Sequence, residues 1–132
     1  MKSKTLTIFV DSSPEAVHKF TSNPENMPKW AKAFCKSIKK AEGGWWAMTT
    51  PMGPAKVRFE TEAKYGILDH VVEPAPGVQI HVPMRVVANG KGSEIIFTLF
   101  QMPGMDDKRF AQDLGMVEQD LQSLKKCVEE GK

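Results

Sequence analysis

Near the end of the chain Phe110, Leu114, Val117, Leu121, Leu124 and Val128 recur at steps of four, three, four, three and four residues. At 3.6 residues per turn this spacing draws one apolar stripe along a helix, and it predicts a helix over residues 105–132. Asp106 and Asp107 fall in its first turn and Lys125 and Lys126 near its far end, the charge placement a helix dipole favours. Such a helix runs roughly 35 Å, the breadth of a small domain. Burying six side chains of this kind is worth on the order of 10 kcal/mol, comparable to the net stability of a domain. The rest of the chain must therefore present a matching apolar surface.

That surface reads mostly as strand. Leu6, Ile8 and Val10 alternate with Thr5 and Thr7, which predicts a strand over residues 5–10. Ser13-Pro14-Glu15 then opens a helix, with Ser13 as cap and Ala16, Val17 and Phe20 on its inner face. Asn23-Pro24-Glu25 repeats the signal for a second short helix that ends near Met27-Pro28. Residues 30–41 fit either period, and the Glu42-Gly43-Gly44 turn favours a strand. Strands follow at 45–50, 56–64, 67–73, 78–87 and 93–102. Between them stand Pro51-Met52-Gly53-Pro54, Tyr65-Gly66, Pro74-Ala75-Pro76-Gly77 and Asn89-Gly90-Lys91-Gly92. One strand, two short helices, about six strands and one long helix make an antiparallel α+β architecture, expected as a single domain over residues 1–132.

Composition narrows the function classes. A chain of 132 residues, 41% hydrophobic, needs neither metal nor disulfide to build a core. A net charge of +2 gives no footprint for nucleic acid, so the lysines among residues 29–40, with Trp30 and Phe34 between them, read as a solvated face. The apolar run at residues 6–10 is too short for a signal-peptide core and no stretch spans a membrane, so a cytoplasmic protein without membrane insertion is expected. Cys35 and Cys127 are then free thiols. No phosphate loop, dinucleotide fingerprint, G-x-S-x-G or C-x-x-C is present, so no cofactor is expected.

The segment Val10-Asp11-Ser12-Ser13-Pro14-Glu15-Ala16-Val17, then Phe20 and residues 23–30, resembles the opening of the bacterial polyketide cyclase/dehydrase-like (SRPBCC) branch of the START and birch-pollen-allergen superfamily. Gly66-Ile67-Leu68-Asp69-His70, residues 85–90 and residues 92–99 also look like that branch. His18 departs from it, since many relatives place a tryptophan there. The resemblance covers nearly the whole chain and rests on caps, turns and strand faces. It implies a helix-grip fold, in which a curved antiparallel sheet of about seven strands (β-α-α-β6-α) wraps a long C-terminal helix and leaves an apolar cavity between them.

Hairpin geometry gives a candidate inner face. A two-residue turn at Tyr65-Gly66 sets Ala63 opposite Leu68 and Thr61 opposite His70, so His70 shares a face with Phe59 and Thr61. Asp69 must then point the other way, which excludes an Asp69–His70 acid–base contact. Val86 faces Ile95 and Met84 faces Phe97. A loop at residues 51–54 brings Trp46 and Met48 onto the side of Val57 and Phe59. His70 and His81 become neighbours only if the loop at residues 74–77 has the opposite parity, and even then no third zinc ligand is apparent. The candidate ligand-binding set is Trp30, Trp46, Met48, Phe59, Thr61, His70, Met84, Phe97, Phe110, Leu114 and Val117. The leading reading is a binder of a small apolar molecule. One alternative is a polyketide cyclase/dehydratase-like enzyme using His70 as acid–base, although no second ionisable group stands on the inner list. Another is a protein–protein interaction module presenting whichever of Trp45 and Trp46 faces outward.

Overall fold

The computed structural model describes residues 1–131; Lys132, which the helical spacing includes, lies outside them. The chain opens with β1 (Ser3–Val10) and α1 (Pro14–Thr21). Ser13 caps α1 by accepting the Ala16 N–H at 3.2 Å, and Val17, His18 and Thr21 form its buried side. A 3-10 turn (Pro24–Asn26) follows, capped by Asn23, and runs directly into α2 (Met27–Trp30). The second helical segment thus passes Pro28 rather than ending there. Pro28 sits in the first turn, where its missing N–H is not needed.

Eight strands complete the sheet: β2 (Ser37–Lys40), β3 (Trp46–Thr50), β4 (Gly53–Glu62), β5 (Ile67–Ala75), β6 (Val78–Val82), β7 (Met84–Asn89) and β8 (Gly92–Phe100), together with β1. They pair antiparallel in the order β1-β8-β7-β5-β4-β3-β2, with β6 paired to β5. Of residues 30–41, only Ser37–Lys40 form a strand. The run expected at 78–87 is two strands because Pro83, which has no N–H, breaks the ladder. Asp69 secures that break by accepting the Met84 N–H at 2.9 Å and pairing with Arg85. Val78, expected on the inner face, is exposed, beyond a register shift between Val72 and Ala75.

Two turns differ in length from expectation while keeping parity. Ala63–Tyr65 form a 3-10 turn closed by Gly66, so Phe59 rather than Thr61 opposes His70, and Thr61 opposes Leu68. Ala63 is therefore an exposed turn residue rather than an inward strand position. At the preceding hairpin Thr50 already opposes Gly53, and Trp46 and Met48 fall opposite Val57 and Ala55. A shift of two residues leaves the side chains that remain in these strands on their expected faces.

The final helix, α3 (Asp107–Glu130), lies across the sheet. Asp106 is its cap rather than a first-turn residue, accepting the Arg109 N–H at 2.8 Å. Leu121, Leu124 and Val128 are buried, whereas Phe110, Leu114 and Val117 are only half-buried. The core joins β1, α1, α2, the sheet and the C-terminal half of α3. Among the described residues no helix is long and apolar enough to cross a membrane.

Candidate functional site

The N-terminal half of α3 is less buried because it stands over a cavity. The hollow measures about 180 Å3. Its walls come from α2 and the turn after it (Met27, Trp30, Ala31, Phe34), from β5 and β6 (His70, Val72, Ile80, Val82) and from the end of β8 (Phe97, Leu99, Phe100). Met102 and Met105, in the link between β8 and α3, close one side, and exposed Pro51, Met52 and Pro74 stand at the rim. The lining is predominantly apolar, as in sites that take small organic molecules.

α3 presents Arg109, Asp113, Met116, Val117, Asp120 and Leu121 to this space. Of the candidate binding residues, Trp30, His70, Phe97 and Val117 stand on the cavity wall. Phe59 lies behind the wall, stacked on His70, and Thr61 is farther along β4. Trp46, Met48 and Met84 pack in the core instead. Phe110 and Leu114 flank the cavity-facing side of α3, one residue or about 100° round from Arg109 and Asp113. The polar groups Arg109, Asp113 and Asp120 are absent from the apolar stripe, yet their steps of four and seven residues put them on one helical face.

Three polar groups give the cavity its character. His70 is buried between Phe59 and Phe97, with ring centroids 5.7 and 6.1 Å away. Its Nδ1 lies 3.1 Å from the Leu68 carbonyl and so carries the proton it donates, which leaves Nε2 a bare acceptor. Burial pushes the His70 pKa down, against the opposing influence of that hydrogen bond, and keeps the ring neutral. Trp30 contributes a buried indole N–H without a partner among the described residues. Asp120 is 6% exposed and accepts the Ala33 N–H at 2.8 Å. Burial raises its pKa to about 6, against the pull of the Ala33 and Phe34 amides and Lys36. Arg109 and Asp113 pair at 3.0 Å at the cavity's margin.

Other candidate chemistry resolves into structure. Asp69 faces outward, toward Arg85 and His81, while His81 opposes Val71 rather than His70. Among the described residues no cluster of His, Cys, Asp or Glu could hold a metal. Cys35 and Cys127 are free, and burial lifts the Cys35 thiol to about 11, which makes it a poor nucleophile. Trp45 lies under the Arg58 guanidinium at 4.6 Å, and Trp46 packs on the core. His18 is accommodated on α1, its Nε2 2.9 Å from the Ile67 carbonyl. A larger open groove of about 760 Å3 runs along the other side of Asp120, lined by Lys32, Lys125, Lys126, Glu129 and Glu130. Its mixed charge and openness to water suit a solvated surface.

The opposite shifts of Asp120 and His70 predict a measurable pH signature. The folded state holds the Asp120 proton more tightly than the unfolded chain, so that group's contribution falls as pH rises from about 4 to about 6. His70 acts the other way: the unfolded chain binds its proton more tightly, so stability declines as pH drops below 6.5. The groups around Asp120 are Lys36 and Cys35 on the nearby turn, Lys32 in the groove, and Arg109, Asp113 and His70 about the cavity. Asp120→Asn keeps an acceptor for Ala33 but cannot titrate. The unfolding free energy of this variant relative to the native protein is expected to increase by about 2 kcal/mol between pH 4 and 6.5. Urea titrations across that range check it, and a constant difference would contradict the assignment.

No protein-family model and no curated protein sequence matches the chain. Solved structures do. XoxI from Bacillus cereus superposes with a TM-score of 0.79 at 19% identity, over 97% of this chain and 96% of its own. Ara h 8.0201 gives 0.73 at 14% identity, over 96% and 97%. DynU16, a protein of the dynemicin biosynthetic locus, gives 0.76 at 14% identity, over all of this chain and 49% of its own. Identities this low speak for the fold alone. The chain shares with these structures a helix-grip fold, an α+β architecture with a curved antiparallel sheet and a long C-terminal helix.

Proposed function

We propose that this protein binds a small, largely apolar molecule in the cavity between α3 and the sheet, acting as one domain in the cytoplasm. The observation that carries the reading is the 180 Å3 hollow itself, walled by apolar side chains, with His70 and Trp30 among the residues that line it. An engineered apolar cavity of roughly 150 Å3 takes up benzene, so a ligand built on one or two rings suits this one. Apolar burial supplies the driving force, and the polar groups fix orientation.

Titrating the protein with propylbenzene while following amide and indole NMR signals tests this reading. Shifts are expected to cluster at Trp30, His70, Phe97 and Val117. Ala31→Phe, which places a ring where a buried methyl lines the cavity, should weaken binding at least tenfold while the spectrum stays dispersed. Shifts confined to the outer face of the sheet would falsify the assignment.

A second reading, an enzyme of the cyclase or dehydratase kind, gains one observation. Asp120, whose carboxyl pKa burial raises to about 6, lines the same cavity as His70 and supports the pairing of a second ionisable group with it. If Asp120→Asn and His70→Phe both left turnover of a polyketide thioester unchanged, this reading would have no catalyst.

A further inference from the structure

The polar inventory of the cavity is lopsided. Asp120 offers a carboxylate that accepts from the Ala33 and Phe34 amides and feels the Lys36 charge, yet no cation lies within ion-pair distance of it among the described residues. His70 offers a bare nitrogen. The Thr50 hydroxyl is already engaged, donating to the Gly53 carbonyl and accepting the Met52 N–H. On the donor side, among the described residues, stand the Trp30 N–H and Arg109, whose Nε donates to Asp113 and whose charge Asp113 balances. The walls are aromatic as well, with Trp30, Phe34, Phe97 and Phe100 among the lining.

We infer that the ligand is a protonated amine carrying an apolar group, with Asp120 as its counter-ion. This rests on the cavity being the binding site. A purely hydrocarbon ligand would leave the cavity side of the carboxylate without a polar partner, and a carboxylate ligand would be repelled by it. An ammonium group reverses that balance. It supplies the missing cation to Asp120, can donate a further hydrogen bond to His70 Nε2, and is attracted to the faces of aromatic rings in a desolvated site. The raised pKa of Asp120 fits a carboxylate awaiting a partner; at pH 7.5 it is predominantly ionised.

Phenethylamine and propylbenzene differ by little more than the replacement of an ammonium group by a methyl group, and they separate the possibilities by calorimetry at pH 7.5. The native protein should bind the amine at least tenfold more tightly. In Asp120→Asn amine affinity should fall at least tenfold and the preference should vanish, with propylbenzene bound at least as tightly as by the native protein. The native protein supplies a control independent of the variant's folding. Lowering the pH from 7.5 to 5 neutralises Asp120 while the amine stays protonated, so amine affinity should fall about tenfold and propylbenzene affinity should change much less. The charged and titratable groups that border Asp120 are Lys36 and Cys35 on the nearby turn, Lys32, Lys125, Lys126, Glu129 and Glu130 along the groove, and Arg109, Asp113 and His70 about the cavity. Propylbenzene bound as tightly as the amine, or an amine preference that survives Asp120→Asn, overturns the inference and leaves the binder standing. If neither compound binds the native protein, the binder reading falls, and the inference with it.

Discussion

Gly66→Ala is expected to destabilise the protein by about 4 kcal/mol or more, one of the largest effects available to a single methyl group. Gly66 closes the turn between β4 and β5 at φ +66°, a conformation in which a Cβ crowds the neighbouring carbonyl. Conformation alone accounts for about 1 kcal/mol. The larger contribution is steric: a Cβ at this position would lie 2.2 Å from the Val86 carbonyl oxygen, and that atom is backbone, which no side-chain rotation can move aside. Yielding would mean separating β5 from β7, whose junction includes the 2.9 Å hydrogen bond from Val86 N–H to the Gly66 carbonyl. Chemical denaturation should therefore show a strongly lowered midpoint. Gly77→Ala is the control, since Gly77 also has positive φ but a Cβ there would meet nothing within 4 Å; it should cost only about 1 kcal/mol. Equal losses for the two variants would mean that the tight approach to Val86 is not what Gly66 serves.

The same junction shows why parts of the fold could be read from the sequence and others could not. Strand faces were legible because alternation survives any even shift. His70 is inward whether Thr61 or Phe59 stands opposite, and Asp69 is outward in both cases. Turn length was not legible, since Ala63-Lys64-Tyr65 carries no mark separating a 3-10 turn from two more strand residues; the hydrogen bond from Gly66 N–H to the Ala63 carbonyl makes the difference. The break at Pro83 was legible in principle, because a residue without an N–H cannot serve a continuous central strand. The cavity wall followed another logic. An apolar stripe identifies what packs, and what packs best leaves no room for a ligand, so Met48 and Met84 belong to the filled core. The cavity-facing side of α3 carries charge, and a charged helical face reads as solvated until the elements around it are known. Asp113 and Asp120 stand seven residues apart, two turns along one side, which is visible in the sequence. That this side looks into a hollow depends on α2 and on the link between β8 and α3, and no local pattern specifies their placement.

Along α3 the consequences of truncation should be graded, and the gradient is a direct assay of the hollow. Leu124 has no exposed surface and belongs to the packed core, so Leu124→Ala removes apolar contacts on every side and leaves a void. Such substitutions cost about 3–4 kcal/mol, which in a domain of this size lowers the melting temperature by about 10 °C. Val117 lies seven residues earlier on the same stripe, half-buried, with one side already facing empty space. Atoms lining a void have already lost partners there, so Val117→Ala should cost about 1 kcal/mol or less while enlarging the cavity. The two variants should also part in ligand response. Propylbenzene should stabilise Val117→Ala by at least as much as the native protein, because ligand binding to the folded state adds to stability through its occupancy. Equal losses at the two positions would mean that the N-terminal half of α3 is as tightly gripped as the rest, with no room beneath it for a ligand.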